Sequence, residues 1–305
     1  VTIGGTKVAI NHHSNSSGVS SQALTFDPSN TALVVSGSGA ATQTNANNGS
    51  YPAVSSLNGG TSFSVSFWHA RNSTDSTTNV IFSLGPHATV ATGVFSIHTT
   101  STSIVAFAHK DGSNNKSYSK NISSLVSIND LNHYVVTFDT SSRSVVIYVN
   151  GVTVGSLSES ESGTFNTYSH TYDRLYLMGY KANHSEQCKG RLSEVAVWDK
   201  VLSAGEAHEI YNDGRIKDLY GHVAVENLVH WYRLGREQSF PSAGSDVSSL
   251  SSFDDKSPRK DHRADLSFNN AAGITSQLGI PGDTVADATF LDDFRDEITA
   301  EVANF

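Results

Sequence analysis

Histidine is the residue that most invites a chemical role in this sequence, because the chain carries 13 of them in 305 residues. Imidazoles bind a metal when two or more share one face, as in His-Glu-x-x-His on a helix. That motif is absent, and the nearest pair, His12 and His13, is adjacent in the chain. Adjacent residues on a strand point to opposite faces. The pattern therefore predicts scattered surface and sheet-edge imidazoles rather than a metal centre.

The sequence also contains no motif that indicates a catalytic nucleophile. The sequence has no Gly-x-Ser-x-Gly elbow, and nothing in its order favours a Ser-His-Asp triad. Its one cysteine, Cys188, excludes an intrachain disulfide and a cysteine-based zinc site. A lone thiol beside a predicted strand is typically inert. We predict that the protein is not an enzyme.

The amino-acid composition limits the classes of partner that the protein is expected to bind. Only 16% of the residues are charged and the net charge is −9, whereas a phosphate-binding face needs clustered Lys and Arg, so we expect no nucleic-acid partner. No stretch approaches the roughly 18 apolar residues of a membrane span, so we expect no membrane insertion. The polar residues are mostly Ser, Thr and Asn, which suit strand faces and turns in water. This usage is typical of extracellular and virion-surface β proteins, and predicts that localisation.

The hydrophobic pattern predicts short strands. Apolar residues recur at every second position over 63–67, 134–138 and 145–149, the period of a strand with one dry face. Asn150-Gly151 then suits a two-residue hairpin turn, because both positions tolerate positive φ. Further candidate strands are 80–84, 94–98, 104–109, 175–179, 192–198 and 227–235. Many short strands with polar turns indicate an all-β sandwich or barrel.

Two helices are predicted. Ser203 and Glu206 form a capping box that begins a short helix, and 212–214 supplies its stop. The second covers 283–305, where seven acids and one base carry most of the net negative charge. Its apolar residues step by three and four, which marks one helix face. Such an acidic amphipathic tail either packs on its own domain or docks onto a neighbouring subunit.

Three segments of the chain carry a family resemblance. They are 23–27 with 63–68, then 133–139 with the 145–151 hairpin, and finally 190–198 running into 202–206. In this order they resemble the laminin G-like, concanavalin A-like domain family, which includes the pentraxins. The resemblance implies a jelly-roll sandwich of two antiparallel sheets. Its motif residues are Trp68, Asn150, Gly151, Gly190, Glu194, Trp198, Ser203 and Glu206.

The resemblance also sets the domain boundaries. We predict a polar N-terminal arm at 1–22, a sandwich at 23–215, an extension with one further strand and a long loop at 216–282, and the acidic tail at 283–305. The extension is similar to those on such domains in tailed marine phage structural proteins.

Related domains hold calcium at the sandwich rim through loop carboxylates and carbonyls, so the resemblance makes calcium the one cofactor to consider. The candidate ligands are Asp75, Asp111, Asp130 and Asp173. By the same resemblance the 180–187 loop would contact a sugar through Asn183, His184 and Glu186, the alternative being an exposed turn. The Glu-x-Asp-x-x-Glu set of glycan-hydrolysing relatives is absent. The three tryptophans lie within strand patterns and predict core residues rather than sugar platforms.

Two functions remain open at this point. The first is a non-enzymatic structural protein of a larger assembly, such as a virion decoration or fibre component, which contacts other copies or subunits through its arm and tail. The second is a carbohydrate-binding or adhesion module that takes a glycan on its rim loops, with or without calcium.

Overall fold

The structure is a computed structural model. It describes residues 2–3, 6–7, 22–26, 41–43, 56–57, 59–71, 79–85, 95–111, 114–127, 130–162, 174–177, 190–214, 216–232, 252–253, 255–258, 266–267 and 274–278. The acidic tail predicted at 283–305 lies outside these residues, as does most of the N-terminal arm. Within the arm, β1 (Thr2–Ile3) pairs with β2 (Thr6–Lys7).

The described strands form two large antiparallel sheets, which confirms the predicted all-β sandwich. The eight-stranded sheet contains β3 (Gln22–Phe26), β5 (Phe63–Arg71), β10 (Asn132–Asp139), β11 (Ser144–Val149), β12 (Val152–Thr153), β15 (Gly190–Trp198), β16 (Leu228–Tyr232) and β19 (Ile274–Leu278). Their order is β12-β11-β10-β5-β15-β3-β19, and β16 also pairs with β15.

The nine-stranded sheet lies against it. It contains β4 (Ala41–Gln43), β6 (Asn79–Gly85), β7 (Phe95–Thr99), β8 (Ser103–Asp111), β9 (Asn114–Asn121), β13 (Ser158–Ser162), β14 (Arg174–Leu177), β17 (Ser252–Phe253) and β18 (Leu266–Ser267). The order is β13-β9-β8-β7-β6-β14-β4-β18-β17.

The main core fills the space between the sheets. Tyr134, Val136 and Phe138 of β10 face it, in register with alternate residues of β5. Phe95 of the opposite sheet stacks on Phe138 with ring centroids 5.8 Å apart and meets Phe63 edge-on at 4.8 Å. Aromatic contacts of this kind add to the free energy gained by burying their area. The apolar residues at every second position, read from the sequence, are therefore those that each strand turns to this core.

The other face of the eight-stranded sheet is also buried. Val135, Tyr148, Trp198 and Trp231 pack there under α1 (Ala204–Tyr211) and the chain that follows it. The helix begins with the predicted capping box, in which the Ser203 hydroxyl accepts from the Glu206 amide at 3.3 Å. The apolar side chains of α1 and of the chain after it exclude water from this face. Every residue of β16 is accordingly buried.

The predicted hairpin turn is present and has a packing role. Asn150 and Gly151 adopt φ values of 50° and 75°, so Val149 pairs with Val152. A Cβ on Gly151 would lie 2.8 Å from both His208 and Tyr211 of α1. The turn thus needs glycine for its φ and for the close approach of the helix.

The extension differs from the prediction of a single further strand. Besides β16 it contributes β17 and β18, which extend the nine-stranded sheet beyond β4, and β19, which pairs with β3 in the eight-stranded sheet. Two of these are only two residues long, too short to show a hydrophobic period. The described helices include none with the length and apolar character of a membrane span.

Candidate functional site

The nine-stranded sheet has one apolar face and one polar face. In β7, Phe95 and Ile97 enter the core, while Ser96 and His98 alternate with them and point the other way. In β6 the same alternation places Phe82 in the core and Ser83 on the opposite face. Because side chains alternate along a strand, these polar residues share one face of the sheet, and Ser83, Ser96 and His98 on it are buried.

Strand register aligns the hydroxyl groups of this face across the sheet. Ser83 pairs with Ser96 of β7, and Ser117 of β9 pairs with Ser160 of β13. Phe107 of β8 stands between the two pairs in the register, opposite Ser96 on one side and Ser117 on the other. We call Ser83, Ser96, Ser117 and Ser160 the hydroxyl row. The backbone register continues the same line to β14 and β4.

The hydroxyl row runs from a buried end to an open end. Ser83 and Ser96 are buried, Ser117 is half-buried and Ser160 is exposed. At the buried end the Ser96 hydroxyl lies 2.6 Å from His98 Nε2, a hydrogen bond that fixes the imidazole. The row therefore offers a fixed polar end and accessible hydroxyls two strands away.

An ion-pair cluster fastens the strand at the open end. The Lys116 ammonium donates to Glu159 at 2.6 Å and to Glu161 at 3.1 Å, which ties β13 to β9. Burial alone would lower the pKa of Lys116, but these hydrogen bonds outweigh it and raise the pKa above its usual range. The Tyr118 hydroxyl donates to the Arg143 carbonyl on the same side. Since β13 carries Ser and Glu alternately, its serines are left on the polar face.

Most of the site residues predicted from sequence cannot be placed. Asp75, Asp173, Asn183, His184 and Glu186 lie outside the described residues. Of the other two candidate calcium ligands, Asp111 ends β8 and Asp130 is exposed just before β10, where its carbonyl accepts from Asn132 at 2.9 Å. Within the described part of the chain, no three His, Cys, Asp or Glu side chains come together as a metal site. All three tryptophans are buried in the sheet that carries them.

A second polar region lies beneath the helix. A cavity of about 10 Å³ lies between the eight-stranded sheet and α1 with the chain after it. We call it the α1 cavity. It is lined by Trp68, His133, Glu194, Ile210, Ile216, Lys217 and Leu219. Sequence reasoning missed it, because its polar residues come from segments far apart in the chain.

Glu194 enters this region through an irregularity of β15. Its φ is +49°, and the register with β5 shifts between Ser193 and Ala196. The resulting bulge lets both Leu192 and Val195 face the main core although they are three residues apart. The buried Glu194 carboxylate then accepts from the Trp231 indole N–H at 2.8 Å.

The family model of the concanavalin A-like lectin/glucanases superfamily matches residues 36–208, more than half of the chain. The chain belongs to this superfamily, and within it to the laminin G-like type that its motifs resemble. No curated protein matches its sequence.

Solved structures of similar architecture include a protein from Bacteroides ovatus described as carbohydrate-binding, at 16% identity and TM-score 0.46, covering 86% of this chain and 62% of that one. A heptameric pentraxin from Limulus polyphemus has 15% identity and TM-score 0.41, covering 63% and 82%. A sialidase carbohydrate-binding module from Ruminococcus gnavus, bound to sialyllactose, has 12% identity and TM-score 0.39, covering 49% and 82%. The chain thus spans under two thirds of the first of these proteins.

Proposed function

We propose that this chain is a non-catalytic carbohydrate-binding module and that it takes its glycan on the polar face of the nine-stranded sheet. The observation that carries the proposal is the hydroxyl row, an aligned set of serines on a sheet whose other face is a packed apolar core. The eight-stranded sheet has no comparable face, because apolar residues cover it on both sides.

The chemistry of the row suits a polyol ligand. A serine hydroxyl donates one hydrogen bond and accepts others, and a neutral imidazole does the same through its two nitrogens. Sugar hydroxyls need both kinds of partner at once. Ser117 and Ser160 supply such groups at the open end, and Ser119 and Ser158 form a second aligned pair beside them.

Binding is favoured over hydrolysis by the sequence. Glycan hydrolysis needs two carboxylates flanking the scissile bond, and the strand-borne Glu-x-Asp-x-x-Glu set is absent. We therefore infer that the superfamily's lectin-like activity, rather than its glucanase activity, is the one retained.

The test is a glycan array probed with the full chain, with calcium and with a chelator. The double variant Ser117→Ala/Ser160→Ala removes two hydroxyls from the row without adding bulk, and we expect it to lose about tenfold or more in affinity. Ser124→Ala/Ser127→Ala, at exposed positions outside the row, is the matched control and should bind normally. An array that stays blank in both conditions would contradict the proposal, as would equal binding by the two variants.

The chelator arm tests the calcium expectation separately. Binding that survives the chelator would remove calcium from the proposal and leave the hydroxyl row as its basis. Binding that disappears would bring the loop aspartates Asp75, Asp111, Asp130 and Asp173 into the site.

We infer in addition that the module serves a larger assembly at a cell or virion surface. The support is the sequence: a weakly charged Ser/Thr-rich body followed by a tail that concentrates the negative charge and carries one apolar helical face. Particles purified from the native source should contain the chain. A chain that stays monomeric and never co-purifies with particles would overturn this inference and leave the glycan proposal intact.

A further inference from the structure

The α1 cavity is lined by a histidine ring that is buried and has no hydrogen-bond partner at one of its nitrogens. His133 lies on β10 and is 1% exposed. Trp68 packs near one side of its ring at 5.2 Å between centroids, and Tyr211 stacks at 6.1 Å. These two aromatic rings cover the imidazole but offer no hydrogen bond to its Nδ1 atom. Among the described residues, no atom lies within hydrogen-bond distance of His133 Nδ1.

A buried polar atom without a hydrogen-bond partner destabilises the folded protein. A buried donor or acceptor left without a partner has lost its hydrogen bonds to water and gained none in the protein. Native structures rarely leave such atoms unpaired, and ordered water is a common partner where the protein supplies none. The position of His133 therefore calls for a small polar partner.

The surroundings are polar on the other side of the same cavity. Glu194 is buried there and is held in the left-handed region of backbone space. Lys217 is mostly buried, and its ammonium lies 3.1 Å from the Glu209 carboxylate. A buried water typically makes about three hydrogen bonds. A carboxylate and an ammonium beside an imidazole nitrogen supply partners of both signs.

The size of the cavity selects the ligand. Its volume of about 10 Å³ is at the lower limit of what one water needs, roughly 10–15 Å³. A sugar, a carboxylic acid or any larger organic molecule is too big. The donor set of one nitrogen and one carboxylate is also short of a metal site, which needs more ligands.

We propose that the α1 cavity is a binding site for one ordered water molecule, which hydrogen-bonds to His133 Nδ1 and to a polar group of Glu194 or Lys217. With Lys217 as its second partner the water joins the eight-stranded sheet to the segment after α1, and with Glu194 it joins β10 to β15 within that sheet. This site is separate from the proposed glycan face and does not depend on it.

A high-resolution crystal structure of the full chain tests the proposal. We expect a single solvent peak about 2.7–3.2 Å from His133 Nδ1. The variant His133→Phe keeps a planar ring of similar shape, and its cavity should lose the peak. His208→Phe, at an exposed histidine of the same helix region, should keep it. A dry cavity in the wild type, or a protein atom bonded to Nδ1, would overturn the proposal.

A solution measurement keeps the test independent of that variant's folding. In the wild-type chain, magnetisation transfer between water and the protons around His133 should reveal a water that stays bound for longer than a surface water. Failure to detect any long-lived water beside His133 in the wild type would refute the site, whatever the glycan array shows.

Discussion

The two sheets of this sandwich differ in what covers them. The eight-stranded sheet is covered on both faces: the main core packs on one, and α1 with the segment after it packs on the other. The nine-stranded sheet is dry on its core face, and its other face carries Ser83, Ser96, Ser117 and Ser160. Only the end of this face at Ser117 and Ser160 is open to solvent, and the glycan proposal rests on that difference between the two sheets.

The largest expected effect tests whether the second face of the eight-stranded sheet is a true core. Trp198 is fully buried under His222, with ring centroids 4.9 Å apart. Trp198→Ala should lower the free energy of unfolding by about 3–5 kcal/mol, as for other large buried side chains. Urea denaturation of the full chain measures this. A loss below about 1 kcal/mol would mean that the outer face is not packed, and the comparison between the sheets would fail.

A second prediction concerns a buried polar anchor beside β16, where His230 stacks on Tyr232 of the main core. Asp255 and His230 are both fully buried and lie 2.6 Å apart, and the other Asp255 oxygen accepts from the backbone amides of Trp231 and Ser257. Asp255→Ala would leave these donors buried and unpaired, so we expect a loss of about 3 kcal/mol in urea denaturation. Asp218→Ala, an exposed aspartate that caps only a single turn, is the control and should cost about 1 kcal/mol or less. Equal losses would contradict the anchor.

A third prediction uses the depressed pKa of His133. Burial lowers this pKa from 6.5 to about 3, so the unfolded chain binds a proton at a higher pH than the folded chain does. The free energy of unfolding therefore keeps its full value with respect to this group above pH 6.5, and it decreases as the pH falls toward 3. In that window the wild type should lose about 1 kcal/mol per pH unit more than His133→Phe does. Parallel pH profiles of the two proteins would show that His133 does not contribute.

The smallest expected effect sharpens the comparison from the other sheet. Ser117→Ala should change the free energy of unfolding by less than about 0.5 kcal/mol, because its hydroxyl lies on a half-buried polar face and not in a core. Thermal unfolding provides the measurement. A large destabilisation by Ser117→Ala would show that the row is structural and would weaken its assignment to binding.

The sequence predicts one sheet better than the other for a physical reason. Strands β10 and β11 carry an apolar residue at every second position, and β11 continues into β12 through Asn150-Gly151, so period and turn chemistry agree. Strands β9 and β13 were missed, because β9 places only Tyr118 in the core and β13 is an exposed run of Ser and Glu. An edge strand that faces water needs few apolar residues and leaves little periodic signal.

The candidate sites were beyond sequence reasoning for a related reason. The hydroxyl row exists only through register across strands, and serines on a polar strand face carry no spacing signal of their own. The α1 cavity joins His133, Glu194 and Lys217, which are distant in the chain, through a bulge that no local pattern announces. By contrast the capping box at Ser203 and Glu206 was predictable, since both partners lie within one helical turn.

The central claim is that the glycan lies on the polar face of the nine-stranded sheet. Hydrogen–deuterium exchange of the full chain, with and without a saturating glycan from the array, tests it most directly. The account predicts slower exchange in β9 and β13, which carry the open end of the hydroxyl row, and no change in β10 and β11. Protection confined to β10, β11 or the segment after α1 would contradict it.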